Sequence, residues 1–529
     1  MAQGNLTSKK APAAPQPPDG MSRRNILAGG AVVGLAALAG AGLAGYKWGR
    51  DEDRLTVESA GKAATPAPTV TTTGNVHSFL SRPDLQPPVL SVDVVSAPAG
   101  VPPYVFLANK PYAAQTLVGQ RGLLIAERGG DIAWFNPIEQ DQVLDFNVQT
   151  YKGKPVLTWW HGETGATYGQ GNCYIADSTY TQIAEVKCGN GLMADMHEFN
   201  LTSQGTALVD AYNEQKADLT SVGGKHGVVA AGVVQEIDIA TGDVIFEWNS
   251  LDHVPLTESM VPIGQTGTPG SPYDYFHINS IGVAWDGDLL VSGRNTSTIY
   301  KIGRRDGQVK WRLGGKSSSF TVGPGASFYY QHHVRSVGTG VITIFDNGAS
   351  PQMQPQSRGM IVKLDLTNMT ATLQQAFTSP ARLLADNQGS MQLLPGGRAF
   401  VGWGAQPYYT EFDADGSVTM NGQLPNGDQS YRAFTAGWVG YPTDKPAVAL
   451  QANPAQGTAV YVSWNGGTEV ATWQVLAGKH PSGLGAVATQ PRNGFETMIV
   501  ADSRGPYFAV AAYDASGKQL GASKVAKLG

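Results

Sequence analysis

The sequence predicts an all-β fold, a six-bladed β-propeller followed by a fibronectin type III-like β-sandwich, on three observations. Glycine is abundant and charge is sparse: 66 of 529 residues are Gly and 15% are charged. That balance, with no long helical run, favours many short strands joined by tight turns. A strand–turn–strand pattern recurs from about residue 120 to 440. After Pro446 the pattern changes into seven short strands with no such period.

Taken in order, the chain divides into residues 1–50, 51–75, 76–444 and 445–529. The first carries six Lys/Arg and one Asp, a net +5, so the remainder of a chain of net charge −5 sums to −10. A chain so balanced does not bind nucleic acid phosphates. Ser22-Arg23-Arg24 precedes an Ala/Gly/Val/Leu run to Gly45. Paired arginines before such a stretch resemble a twin-arginine export signal, which places the protein in the periplasm, cell envelope or outside. Contact with a membrane is expected only through that segment, if it stays uncleaved. Residues 51–75, rich in Ala, Thr and Pro, read as a disordered tether.

The repeat is clearest at Phe276–Leu313, where Asp286-Gly287 and Asp306-Gly307 supply the positive φ of tight hairpins. Relatives of this unit start near Asp145, Asp195, Tyr329 and Asn387, and a weaker copy at Gly122–Pro137 is completed from elsewhere. Six four-stranded units of this kind stack radially into a propeller. The segment from Tyr431 is placed to close the ring. Cys173 and Cys188 sit at the far ends of two alternating runs, where a hairpin would set them opposite each other, so a disulfide is expected in an oxidising compartment. Beyond Pro446, Trp464, Trp473 and the alternating run around Tyr507 have the pattern of a sandwich of about 80 residues.

Polar residues recur in register. His197, His277, His332 and Gln388 precede the first-turn glycine of four successive units by eight to ten residues. A propeller's first strands line its channel, so these residues should converge on one mouth. His333 should point the other way from His332. The ends of the second strands give Trp160-His161, Arg294, Asn347 and Trp403, which would rim that mouth. Glu198 follows His197 and faces away, leaving no carboxylate in the same register. Three histidines can hold a divalent metal. Histidines with an arginine also suit an anionic group with three equivalent oxygens, such as a sulfuryl or phosphoryl group in flight.

The elements Asp195-Met196-His197-Glu198, His277-Ile278-Asn279-Ser280, Ser292-Gly293-Arg294 and Gln331-His332 resemble, in order and spacing, the bacterial arylsulfotransferases over roughly residues 90–440. The resemblance implies an exported, nucleotide-independent enzyme that moves sulfate from an aryl sulfate to a phenol through a sulfohistidine, with no cofactor and no metal. It assigns His332 as nucleophile, and His277, His197, Arg294 and Asn279 as sulfate ligands. His333 stands where many relatives carry Asp, so it remains a second choice of nucleophile and a substrate-binding residue. His161, Trp160 and Trp403 complete the expected substrate site. A metal-dependent lyase or hydrolase on the same scaffold, and a non-catalytic exported binding protein, are the alternatives.

Overall fold

The computed structural model describes residues 74–112, 115–165, 167–453 and 457–529. The arginine pair, the apolar run after it and most of the expected tether lie outside the described residues. Among the described residues, no helix is long and apolar enough to cross a membrane.

The fold is all-β. Six antiparallel four-stranded meanders lie within residues 104–436; two of them, joined at Gly171 and Ala194, make one eight-stranded sheet, and the short strand Thr321–Val322 adds a parallel edge to another. Five are consecutive in sequence, and their first strands are Gln142–Tyr151, Ala194–Leu201, Ile278–Val283, His332–Gly338 and Ser390–Leu393. The sixth is made from both ends of this region. Strand Asp428–Ala436 pairs with Tyr104–Pro111, which leads into Gly122–Glu127 and Ile132–Pro137. The weak copy at Gly122–Pro137 is thus completed by an upstream strand that the repeat pattern misses and by a strand 300 residues downstream. The six first strands touch in a closed circuit, each meeting the next and Asp428–Ala436 meeting both Ser390–Leu393 and Gln142–Tyr151. Apolar clusters fill the gaps between meanders, such as Phe106, Trp134, Phe146 and Phe434 between the sixth and the one that starts at Gln142.

After residue 436 the chain builds two further sheets. Ala447–Asn453, Gly457–Ser463 and Glu496–Ala501 form one; Gly485–Pro491, Thr472–Gly478, Tyr507–Tyr513 and Gln519–Ala522 form the other, with Ala526–Lys527 paired to Tyr507–Tyr513 as an eighth strand where the sequence predicts seven. They enclose Val460, Trp473, Val475, Ile499, Phe508 and Val510. This pair of sheets docks on the outer strand Ile132–Pro137. The Asn465 side chain accepts from Phe135 N–H (2.9 Å) and donates to Phe135 C=O (2.8 Å), extending that edge by one amide. Arg492 pairs with Glu127 at 2.6 Å.

The expected disulfide is absent: Cys173 and Cys188 are free thiols. In the hairpin Cys173 lies opposite Val186, two residues short of Cys188, and such a diagonal offset exceeds the reach of an S–S bridge. Both side chains pack instead in the core between the meanders that start at Gln142 and Ala194.

Candidate functional site

The closed circuit of first strands brings His197, His277 and His332 together. His197 lies on strand Ala194–Leu201, His277 directly precedes Ile278–Val283, and His332 opens its strand. The rings of His197 and His277 stand edge to face, 5.0 Å between centroids. His277 adopts φ 52°, a left-handed conformation uncommon for a residue with a side chain, at the entrance to its strand.

Each ring is anchored through Nδ1, and the anchors differ. His197 Nδ1 is hydrogen-bonded to Asp195 Oδ2, and His277 Nδ1 to Asp274 Oδ2 at 2.5 Å. His332 Nδ1 meets Asn347 Oδ1 at 2.7 Å. The Asn347 amide is oriented by its own Nδ2, which donates to the carbonyls of Ala385 and Gln388 at 3.0 and 2.9 Å. Its Oδ1 is therefore an acceptor, which puts the His332 proton on Nδ1 and a lone pair on Nε2. Gln388 N–H donates to that Nε2 at 3.1 Å. Among the described residues, Nε2 of His197 and of His277 carries no hydrogen bond. The expectation of a site without carboxylates is therefore corrected. Asp195 is two residues from His197 on one strand and so shares its face; Asp274 reaches His277 across a turn.

Electrostatics separate the three rings. Burial, followed by the charge of Arg294, holds His332 well below the ordinary histidine range, and the hydrogen bond to Asn347 acts in the opposite direction. Burial also lowers His277, but Asp274 pulls the other way. Arg294 completes the cluster. It lies over Tyr330, 5.2 Å from the ring, donating to Asn295 Oδ1 (2.9 Å) and Asp386 C=O (3.0 Å). Its Nε is buried without a partner, and among the described residues it forms no ion pair. The buried Arg432 and the half-buried Arg128, Arg304 and Arg358 all do, whereas the buried Arg398 donates only to carbonyls. A largely desolvated guanidinium without a counter-ion, beside three imidazoles, is a place for an anion.

Beneath this layer Arg432, 1% exposed, bonds Asp145 (2.9 Å), Glu198 (3.2 Å) and the Asn279 carbonyl (3.0 Å). Arg335 meets the same Glu198 at 2.8 Å. The cluster ties together five of the six first strands. Tyr431 OH donates to the His197 carbonyl at 3.1 Å, holding the closing strand to the site.

Other expected site residues are placed elsewhere. Trp160 is buried in the core, donating to Ala194 C=O at 3.0 Å, and Trp403 is buried with Nε1 on Thr410 Oγ1 at 2.9 Å. Both are packing residues, because the second strands turn these rings between meanders. His161 binds Gln140 C=O at 3.2 Å and stands 3.7 Å from Asp141, on the outside of its meander. Asn279 gives its amide to the Gln331 carbonyl (2.8 Å), which holds its donor away from the histidines. His333, at φ 50°, turns into the next meander, with its ring 5.4 Å from Phe434 and Nδ1 at the backbone of Met391. His161→Ala is therefore expected to change the folding free energy by no more than about 0.5 kcal/mol, as measured by urea unfolding.

A cavity of about 490 Å³ opens beside the cluster. It is lined by Asp274 and Asn295, the partners of His277 and Arg294, and by Tyr168 and Tyr273. Tyr168 stacks on Tyr212 at 4.7 Å, and the Tyr212 ring edge stands 6.3 Å from His277.

The buried histidines also set a pH dependence of stability. Burial holds His332 and His333 well below their unfolded value, so the native state binds fewer protons than the unfolded chain in acid. Their contribution is complete above about pH 6.5 and is lost as pH falls below it, by about 1.4 kcal/mol per pH unit for each ring. Denaturant titrations at stepped pH should show that fall, and His333→Asn should reduce its slope by one histidine's share.

Comparison with known proteins adds the following. Among solved structures, the chain is similar to a protein of unknown function from Bacteroides caccae (12% identity, 63% of this chain and 98% of that one, TM-score 0.37). It is also similar to virginiamycin B lyase from Staphylococcus aureus (8%, 72% and 97%, TM-score 0.33) and to a protein from Lactobacillus plantarum (13%, 75% and 99%, TM-score 0.32). A comparison with curated proteins finds no match. The family model described as arylsulfotransferase (ASST) matches residues 147–424. That stretch spans 278 of 529 residues and contains His197, His277, Arg294 and His332, and the chain belongs to the arylsulfotransferase family.

Proposed function

We propose that the protein is an aryl sulfotransferase that works through a sulfohistidine on His332. The observation that carries this reading is the contrast between the three rings. His332 alone is anchored by a neutral amide and has its Nε2 lone pair fixed by tautomer, while His197 and His277 are backed by carboxylates. A carboxylate-backed imidazole is suited to carry a proton; an amide-backed one is suited to attack.

In the first half-reaction His332 Nε2 gives up the hydrogen bond it accepts from Gln388 N–H and attacks the sulfur of an aryl sulfate. The N–S bond forms as the S–O bond to the aryl group breaks, and Arg294 neutralises charge on the sulfuryl oxygens. The departing phenolate oxygen takes a proton from Nε2 of His197 or His277. In the second half an acceptor phenol returns its proton to that imidazole while its oxygen takes the sulfur and the N–S bond breaks. The cavity by Asp274 takes the aromatic ring, with Tyr168 and Tyr273 as its walls. No cofactor or metal is needed in this scheme.

The circuit of six first strands supports a six-bladed propeller closed by Asp428–Ala436. The two packed antiparallel sheets after residue 446, of three and five strands, support a fibronectin type III-like sandwich with one short extra strand. Residues 22–45 support export by the twin-arginine route. The test is mass spectrometry of the protein quenched after exposure to an aryl sulfate. The mass of one sulfuryl group on the peptide carrying His332 is expected, and its absence during turnover removes the reading.

A further inference from the structure

Asp210 has no part in the chemistry above, yet it lies against it. It sits mid-strand in Thr206–Asp218, in the apolar run Ala207-Leu208-Val209, and is fully buried. Its Oδ1 accepts Glu198 N–H at 3.0 Å. Its Oδ2, equally enclosed, has no partner. Ligand atoms of Asp195, His197 and Asp210 all lie within 4.8 Å of one another.

Two carboxylates buried side by side cannot both hold a charge without a cation between them. Asp195 is the one whose charge is supported. Burial opposes it, but the His197 imidazole and the Gly169 N–H hold it below the ordinary carboxylate range. Burial, then the neighbouring Asp195 and Glu198, push Asp210 far above that range. Facing Asp210 are Asp195, His197 and Glu198 from the adjacent strand, the Cys173 and Cys188 thiols, Tyr212 and Tyr431. None is a lysine or arginine. His197 is bonded directly to Asp195, which leaves no space for an ion between those two.

We propose that Asp210 is a positioning residue: it stays protonated and donates from Oδ2 to Asp195, fixing that carboxylate on Nδ1 of His197 so that Nε2 faces the site. The proton also keeps a second negative charge away from His197 while that ring hands a proton to a phenolate. This consequence rests on the sulfotransferase reading; the protonated state does not.

The test is therefore in two parts. Infrared difference spectra of the full chain, in H2O against D2O, should show a protonated carboxyl band between about pH 5 and pH 8. Asp210→Asn should remove that band. In kinetics, Asp210→Ala should lower kcat about 10- to 100-fold and move the acid limb of the pH profile. Asp210→Asn, which keeps a donor and an acceptor in place, should recover most of that loss with the limb restored. The proposal is overturned if the wild-type protein has no such band. It is equally overturned if Asp210→Asn moves the limb by about one pH unit, as loss of a charge would, or if a divalent metal survives dialysis and leaves with Asp210→Asn. Failure of sulfate transfer with the band intact would count against the sulfotransferase reading alone.

Discussion

His332→Ala is expected to abolish sulfate transfer, lowering kcat by on the order of 10⁴- to 10⁶-fold, because it removes the atom to which sulfur bonds. His197→Ala and His277→Ala should cost less, about 10²- to 10⁴-fold, the range for losing a proton donor or a charge-stabilising contact. The ordering distinguishes the roles. If the three losses were equal, or if His197→Ala exceeded His332→Ala, the nucleophile would be misassigned. The measurement is the burst and steady-state release of a chromogenic phenol. The burst should disappear only in His332→Ala, and should persist, slowed, in the other two. Asn347→Asp provides a further check. A carboxylate in place of the amide would let His332 hold a second proton, and the rate at neutral pH should fall with the fold intact.

Arg432→Met is expected to be the most destabilising single change along the axis, by about 3–5 kcal/mol. The guanidinium is 1% exposed and stands between Asp145 and Glu198. Removing it leaves two buried carboxylates with only Arg335, which reaches Glu198 alone. The cost comes from stranded charges rather than from the loss of favourable pairs. Replacing Asp145 by Asn and Glu198 by Gln in the same chain should therefore recover a large part of it. Urea unfolding of the single and triple variants measures both quantities. Equal stability of wild type and Arg432→Met would show that the cluster does not hold the first strands together.

The sequence carried the fold class because glycine turns and alternating strands are local signals. It carried the meeting of His197, His277 and His332 because a period longer than any strand places them at one position of the repeat. Asn347 was legible as a rim residue, and the structure gives it the His332 ring. Other parts depended on pairings that no local pattern encodes. Asp195 was noted only as part of a motif, without a role, and Asp210 was missed, although each left a signal: Asp195 shares the face of His197 at a spacing of two, and Asp210 interrupts an apolar strand. Tyr431 and Arg432 lie on the segment recognised as closing the ring, but their partners come from strands up to about 290 residues upstream. Trp160 and Trp403 were placed at the rim by counting, and their rings instead turn into the gaps between sheets. A large indole buries more surface there than it could at a wet opening. The thiol pair failed on register: a hairpin drawn from the sequence is symmetric, and the real one is offset by two residues.

The pairing of Asp428–Ala436 with Tyr104–Pro111 has a consequence for how the protein is made. Synthesis runs from one end, and the strand that seats Tyr431 and Arg432 beside the histidines emerges after every other part of the ring. A ribosome-bound chain shorter than this has its imidazoles but neither the clasp nor the buried guanidinium to hold them. The histidine cluster thus gains its last supporting strand in one step, late in translation.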